Sequence, residues 1–512
     1  MTVTTYATTP RRGDTLPLPV VVSSEPDENP ERSKEPRRKR RLPLWVVLAV
    51  LAAFPTVMLH VVPGAEAGLS EEGRITLVVF ACAVLAWMSG RLDDTFVGLA
   101  AAATLVVVGV LSSADLFRSM GGETIWLLIS AFVLAAGLNS SGLPARLAVA
   151  LVSKATSVRQ LAHLVTASLL VTALAVPSTS GRAALAVPVF TSLATALAAR
   201  VRVVRMLALL FPTVILLSAV ATLIGAGAHL ITSEVLAATT GTGIGFGRWL
   251  ILGLPFAVLS SHLATELVLF LMTRHKDRRT RLSVDRAALA EQAGAQVEGP
   301  LTGAQRRSGL LLLVVVALWC TESLHGIGPA MVALLGAVAI TTPRLGTVKM
   351  SRAMSTVPWS LLLFMATTTV LGGTLANSGA AGWLAGVMFR GTEAISGERF
   401  LIIVVAVSTA AHLVLQSRSA RSSVLVPLLI PISAAFALNP AAVAFASTAA
   451  AGFCHTLPSS AKPVAMFAAV LDVATYRKSD LLRLSLFLAP LTAGLVLVFA
   501  LFIWPLLGLP LH

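Results

Sequence analysis

The chain has 512 residues, of which 56% are hydrophobic and only 12% charged, with a mean hydropathy of +0.84; a soluble domain carries about twice that charge fraction. Many apolar runs reach the ~20 residues that cross a bilayer and are continuous rather than alternating, which excludes a soluble globular chain and a membrane β-barrel. The formal net charge of +15 does not mark a nucleic-acid binder, because the basic residues cluster in short segments between apolar runs, as the positive-inside rule expects.

Residues 1–41 are polar and Pro-rich and end in Arg37-Arg38-Lys39-Arg40-Arg41, which reads as a disordered basic cytoplasmic tail. Residues 42–62 form an extra first span, and the acidic loop up to 73, with Glu66, Glu71 and Glu72, suits the outside. Three spans follow over Arg74–Gly90, Thr95–Leu111 and Glu123–Gly142. Leu143–Arg159 is shorter and amphipathic, and is expected to lie along the cytoplasmic surface. Two apolar arms, Gln160–Pro177 and Gly181–Ala199, flank a polar break, with Lys154 and Arg159 before them and Arg200, Arg202 and Arg205 after. Basic residues at both ends put both ends on one side, so 160–199 is expected to be a re-entrant hairpin. The next span, 206–236, is interrupted at Thr222–His229, where glycines can unwind a helix. Trp249–Thr273 closes the first half, and 274–307 is a charged cytoplasmic linker.

The second half repeats the plan. Spans over Ser308–Leu324, Ile327–Thr342 and Pro358–Ser378 precede a second hairpin over 400–438. A second broken span, 440–475, is interrupted at Leu457–Pro463, and Leu484–Leu507 ends the chain. The fold class read from this pattern is an all-α polytopic membrane protein of about eleven transmembrane helices. Its two repeats, 74–273 and 308–510, each carry a hairpin and a broken helix. An odd number of crossings per half makes the repeats inverted, with the N-terminus cytoplasmic and the C-terminus outside the cell membrane.

The hairpins share one pattern. Ser178-Thr179-Ser180-Gly181-Arg182 is followed by Val187-Pro188, and Ser417-Arg418-Ser419-Ala420-Arg421 by Val426-Pro427. Each reads S-x-S-x-R, with Val-Pro nine and ten residues after the first Ser. Charged groups at membrane depth are expensive and tend to face a cavity or a bundle interior. Matching polar breaks in two halves are the best sequence pointer to a transporter's binding site.

These stretches resemble the divalent anion:sodium symporter family, whose members carry dicarboxylates, citrate or sulfate. The likeness runs over roughly residues 70–510. That family has two Ser-Asn-Thr tips, each with a Pro ten residues after the Ser. Here Ser178-Thr179-Ser180 and Ser417-Arg418-Ser419 match, with Pro188 and Pro427 at that distance. Ala221-Thr222-Leu223-Ile224-Gly225 matches the family's first broken span, and Leu457-Pro458 with Pro463 its second. The resemblance implies an elevator movement and a homodimer. It also marks a departure: in the family the tip asparagines help to bind sodium and touch substrate carboxylates, whereas Thr179 and Arg418 stand in their places here. His229 stands where an Asn is expected in the first break, and Lys462 lies in the second.

The substrate-binding residues expected are therefore Ser178, Thr179, Ser180, Arg182, Ser417, Arg418, Ser419, Arg421, Pro458, Ser459 and Lys462. Helix N-termini and serine hydroxyls offer donors to an anion, and Arg adds a planar fork that matches carboxylate or sulfate. Gly225, His229 and Glu266 are the expected coupling-ion or proton residues, His229 because it sits in the break and titrates near neutrality. The function expected is secondary active transport of a small anion (dicarboxylate, citrate or sulfate), with fixed cations doing the electrostatic work of bound sodium. Sodium stays open as a coupling ion beside protons and exchange. Arsenite transport, cation/proton antiport and a non-transporting anion sensor are the alternatives. No cofactor is expected. Cys82, Cys320 and Cys454 lie in apolar runs without metal-ligand spacing. His-Glu-x-x-His, P-loop and Gly-x-Ser-x-Gly motifs are absent from the sequence, which argues against an enzyme or an ATP-driven pump.

Overall fold

The computed structural model describes residues 49–50, 53–58, 68–279, 281–282, 299–388, 396–471 and 473–512. The tail expected over 1–41, most of the first span over 42–62 and the linker centre over 283–298 lie outside the described residues. Among the described residues all regular structure is helical, and the one β feature is an isolated bridge between Ser157 and Arg281. Among the described residues, eight helical segments are long and apolar enough to cross a membrane, and four more apolar helices are shorter. The second broken span divides into two short pieces, Pro440–Ala450 at 11 residues and Lys462–Ala468 at 7.

The helices that build the site are, in chain order, α1 (Glu71–Ser89), α2 (Asp94–Val107), α3 (Val158–Ala175), α4 (Thr179–Ala196), α5 (Val201–Leu217), α6 (Gly227–Thr240), α7 (Phe246–Met272), α8 (Trp359–Asn377), α9 (Gly397–Ala410), α10 (Arg418–Ala435), α11 (Pro440–Ala450), α12 (Lys462–Ala468) and α13 (Lys478–Val498). The helix α3 starts before the expected Gln160 because the Ser157 hydroxyl accepts from Gln160 N–H at 3.2 Å and caps it. The segment expected as one surface helix over Leu143–Arg159 is therefore two, a helix over Leu143–Val152 and the start of α3.

The two breaks have the same backbone. Thr222 (φ −132°, ψ 152°) and Leu457 (φ −126°, ψ 150°) enter a short 3₁₀ turn. Ala226 (φ −155°, ψ 148°) and Ala461 (φ −155°, ψ 146°) leave it, and α6 and α12 start at the next residue. Gly227 and Lys462 thus hold the same position. Gly225 is a glycine for a steric reason: a Cβ there would lie 2.0 Å from the Ala219 carbonyl oxygen.

Packing exchanges the halves. The second hairpin arm α4 packs on α5, the first piece of its own broken helix, and on α12, the second piece of the other. The arm α10 likewise packs on α11, the first piece of its own broken helix, and on α6, the second piece of the other. The chain has two apolar cores to match, one around α3, α4, α5 and α12, the other around α2, α6, α8, α10 and α11. Beyond Arg205 the helix α5 is apolar, and every residue from Met206 to Leu217 is buried, so this stretch serves as an interior post rather than a lipid-facing surface. This exchange draws both tips and both breaks to one place.

Candidate functional site: a polar cavity between two capped tips

Each tip is the N-terminus of a helix, where unpaired N–H groups need acceptors. The Ser178 hydroxyl accepts from Gly181 N–H at 3.2 Å, and the Ser417 hydroxyl from Ala420 N–H at 3.3 Å. Serine is favoured at such a position because its short side chain folds back on the first turn. Between the tips lies a cavity of about 570 Å³. Ser178, Thr179 and Ser180 line it from one side, and Ser417, Arg418, Ser419 and Arg421 from the other. The breaks contribute Ala226, Gly227, Ser459, Ser460 and Lys462.

The structure does not bring every expected residue there. Arg182 is buried and turns back into its own hairpin. Its Nε donates to the Thr172 hydroxyl at 3.1 Å and Nη1 to the Ile215 carbonyl at 3.1 Å; Nη2 donates to the Leu169 carbonyl and the Ser218 hydroxyl, both at 2.6 Å. Four of its five hydrogens are thereby used within the protein, and it does not line the cavity. Pro458 opens the 3₁₀ turn and does not line the cavity. Gly225 is enclosed in the first break. His229 is buried, its ring stacked on Trp249 at 5.1 Å and its Nδ1 donating to the Thr222 carbonyl at 3.0 Å, so it holds the break together rather than facing the cavity.

Glu266 belongs to a different place. Its carboxylate accepts from Arg159 Nε and from His163 Nε2, each at 2.7 Å, and the His163 and His262 Nδ1 atoms are 2.9 Å apart. This is a half-exposed cluster between α3 and α7, away from the cavity.

Arg418 and Arg421 behave differently from Arg182. Arg418 Nη2 donates to the Leu216 carbonyl at 3.1 Å and the Gly452 carbonyl at 2.8 Å. Arg421 Nη1 donates to the Phe453 carbonyl at 3.0 Å, while its Nε and Nη2 are buried without a partner. Those carbonyls sit where α5 and α11 end, and helix C-termini carry unsatisfied carbonyls and the negative end of the dipole. A guanidinium thus bridges the ends of both broken helices. The two arginines differ in the residue at one shared spacing: Thr172, which accepts from Arg182 Nε, lies ten residues before it, and Ala411, which has no hydroxyl, lies ten before Arg421.

Sequence reasoning missed Asp93 and Asp94, which line the cavity from the turn between α1 and α2. Arg91-Leu92-Asp93-Asp94 reads as an ordinary loop beside a basic residue. The available signal was the Asp before an apolar helix, since Asp93 caps α2 by accepting from Thr95 and Phe96 N–H at 2.9 and 3.2 Å. Gln416 and Cys454 also line the cavity. Three cationic side chains (Arg418, Arg421 and Lys462) face two carboxylates there, leaving one positive charge in excess. No group of His, Cys, Asp and Glu suited to a metal ion occurs among the described residues.

The family model described as the sodium:sulfate symporter transmembrane region matches residues 42–509. The chain belongs to this family. It is a membrane-embedded, multi-pass transporter rather than an enzyme. A relative named only as a membrane protein, from Cupriavidus necator, is 25% identical over 411 residues, 76% of this chain and 78% of that one. A putative malate transporter, YflS of Bacillus subtilis, is 27% identical over 143 residues, 28% of this chain and 29% of the relative. The crystal structure of the Alcanivorax borkumensis YdaH transporter shares the fold, with a TM-score of 0.54 at 17% identity, over 78% of this chain and 91% of that one. As a member of the family, this transporter acts on anions, and its cavity is rich in anion donors.

Proposed function

We propose that the protein is a secondary transporter of a small multivalent anion, in the range of dicarboxylate, citrate and sulfate, and that its arginines take the place of bound sodium. One observation carries the reading: Arg418 and Arg421 donate to the carbonyls at the ends of α5 and α11. In a helix break, such carbonyls are the natural ligands of a small hard cation. Here their lone pairs already accept guanidinium hydrogens, so the positive charge opposite the substrate is covalent and permanent. Two capped helix N-termini, the tip serines and the free faces of Arg418, Arg421 and Lys462 then offer hydrogen bonds to an anion. The partial likeness to a putative malate transporter makes a four-carbon dicarboxylate the first substrate to try.

In this reading the halves are inverted repeats in the cell membrane, with the N-terminus cytoplasmic, and the transporter works as a homodimer. The hairpins and breaks alternate access from either side, coupled to protons or to anion exchange. The experiment is uptake of labelled succinate, malate, citrate and sulfate into proteoliposomes, with and without an inward sodium gradient. Uptake of at least one anion at equal rate in both conditions supports the proposal. A requirement for sodium with a steep dependence on its concentration contradicts it.

A further inference from the structure

Beside Arg421 lies a buried histidine whose second nitrogen leads into a chain of hydroxyls. His412 sits in the short 3₁₀ turn Ala411–Leu413, between α9 and the second tip, and this turn packs against α10. Its Nδ1 is 2.6 Å from the Thr409 carbonyl oxygen. Its Nε2 is 2.7 Å from the Thr456 hydroxyl, which is 2.7 Å from the Ser485 hydroxyl. A carbonyl oxygen can only accept, so the neutral ring carries its hydrogen on Nδ1 and leaves a lone pair on Nε2. Thr456 then donates to Nε2. When Nε2 is protonated, the Thr456 oxygen accepts from it and the Thr456 hydrogen turns to Ser485. Both charge states of His412 thus keep their hydrogen bonds, which a buried group needs if it is to gain and lose a proton.

The ring also shares a neighbour with Arg421. It stands edge-on to the Phe453 ring at 5.1 Å between centroids, and Arg421 Nη1 donates to the Phe453 carbonyl at 3.0 Å. With one residue between them in the protein interior, two positive charges repel with little screening. The other titratable groups around Phe453 are Arg418 on α10, and Cys454 and His455 on the stretch after α11. The buried residues of α9 and α13 carry no charge. His455 has no such chain: its Nδ1 accepts from Cys454 N–H at 3.4 Å, and its Nε2 is buried without a partner.

We propose that His412 is the coupling-proton residue of this transporter, loaded when an anion binds to Arg421. With no anion present, the Arg421 charge opposes a second positive charge on His412. An anion held by the unpartnered Arg421 nitrogens offsets that charge, and Nε2 then takes up a proton. Thr456 passes its own hydrogen to Nε2 and receives another in its place, so nothing but a proton is consumed. Binding linkage is reciprocal, so the protonated transporter binds the anion more tightly by the same factor. Loss of either ligand loosens the other, and an inward proton gradient thereby drives anion uptake. The inference rests on the cavity being the anion site, and its test separates the two.

The test compares wild type, His412→Gln and Arg421→Gln in two measurements on the purified transporter. The first is calorimetry of succinate binding at about pH 7, in buffers of different ionisation heat, which counts the protons taken up with the anion. Wild type should take up close to one proton per succinate. His412→Gln, whose side-chain oxygen can still accept from Thr456 but holds no proton, should take up close to none. Its affinity should be about tenfold weaker than wild type at pH 7 and equal to it at about pH 9, where His412 is neutral in both. Equal proton uptake in His412→Gln and wild type overturns the proposal. The second measurement needs no substrate. The His412 resonance is titrated in the ¹⁵N spectrum of histidine-labelled, anion-free protein, and is assigned by its loss in His412→Gln or His412→Asn. Arg421→Gln should raise its titration midpoint by about one pH unit, a tenfold gain in proton affinity. A midpoint that stays put refutes the His412–Arg421 coupling, whatever the substrate. A midpoint that moves, in a protein that binds none of succinate, malate, citrate and sulfate, would sustain the coupling and put the fault in the assigned substrate class.

Discussion

The two hairpin tips carry one sequence pattern and do two different jobs. In the first, Arg182 meets Thr172, Leu169, Ile215 and Ser218 and uses four hydrogens on protein acceptors. In the second, Arg421 meets the Phe453 carbonyl, keeps two nitrogens without partners and lines the cavity. The first arginine is a stitch between a hairpin and a broken helix; the second is a charge held ready at a binding site. A buried guanidinium is tolerated when its hydrogen bonds are met. A partly unmet one persists where something else repays it, and a bound anion is the natural candidate.

Breaking the stitch should have the largest effect. Arg182→Ala leaves buried acceptors on both sides of the first hairpin without donors, and should cost on the order of 3–5 kcal/mol of stability. The readout is thermal unfolding in detergent, with loss of the monodisperse peak on size exclusion. Arg182→Lys should fail to rescue, since one ammonium cannot span four acceptors in a plane. Near-normal stability of Arg182→Ala would erase the distinction between the tips.

Arg421→Gln should do the opposite. Stability of the anion-free protein should hardly move, while succinate affinity should fall about ten- to a hundredfold, the range of ~1.5–3 kcal/mol for hydrogen bonds to a charged group. Titration calorimetry beside the same unfolding assay separates the two effects. Equal losses of stability and affinity would make Arg421 another stitch.

Swapping the supporting hydroxyl sharpens the contrast further. Ala411→Ser should give Arg421 Nε a partner, raise stability by ~1 kcal/mol and weaken anion binding about fivefold. Thr172→Val should lower stability by ~1 kcal/mol and leave anion affinity as it is. The smallest effect belongs to Glu266→Gln. Its cluster is half-exposed and away from the cavity, and such an ion pair is worth ~0–1 kcal/mol. Succinate uptake should stay within about twofold of wild type, and a complete loss would return Glu266 to the proton path.

The order of elements was legible in the sequence because membrane helices leave a strong local signal: apolar runs of spanning length, basic segments between them, and two polar interruptions per half. The tip serines were legible for the same reason, since a capping Ser before a helix is a short-range pattern. The rotation and partnering of the arginines were not. S-x-S-x-R places both arginines alike on their helices, and the difference comes from Thr172 and Ser218 on other elements for one and Ala411 for the other. His229 looked like a titrating group in a break, and only its stacking on Trp249, twenty residues away, shows why it is there. Asp94 was hidden because a loop between two spans gives no sign of dipping to the depth of the tips. Lys462 was singled out for its charge, yet its equivalence to Gly227 follows only from the shared backbone of the two breaks.

The central claim is that fixed arginine charge replaces a bound cation. It is tested most directly by succinate affinity of the purified transporter across sodium concentrations, at constant ionic strength with choline as the replacement. Binding free energies of coupled ligands are reciprocal, so a transporter that needs sodium in its site must bind the anion more tightly as sodium rises. The account predicts a plot of log affinity against log sodium with zero slope in wild type. A slope of one or more would contradict it, and would mean that sodium finds ligands in the breaks despite Arg418 and Arg421.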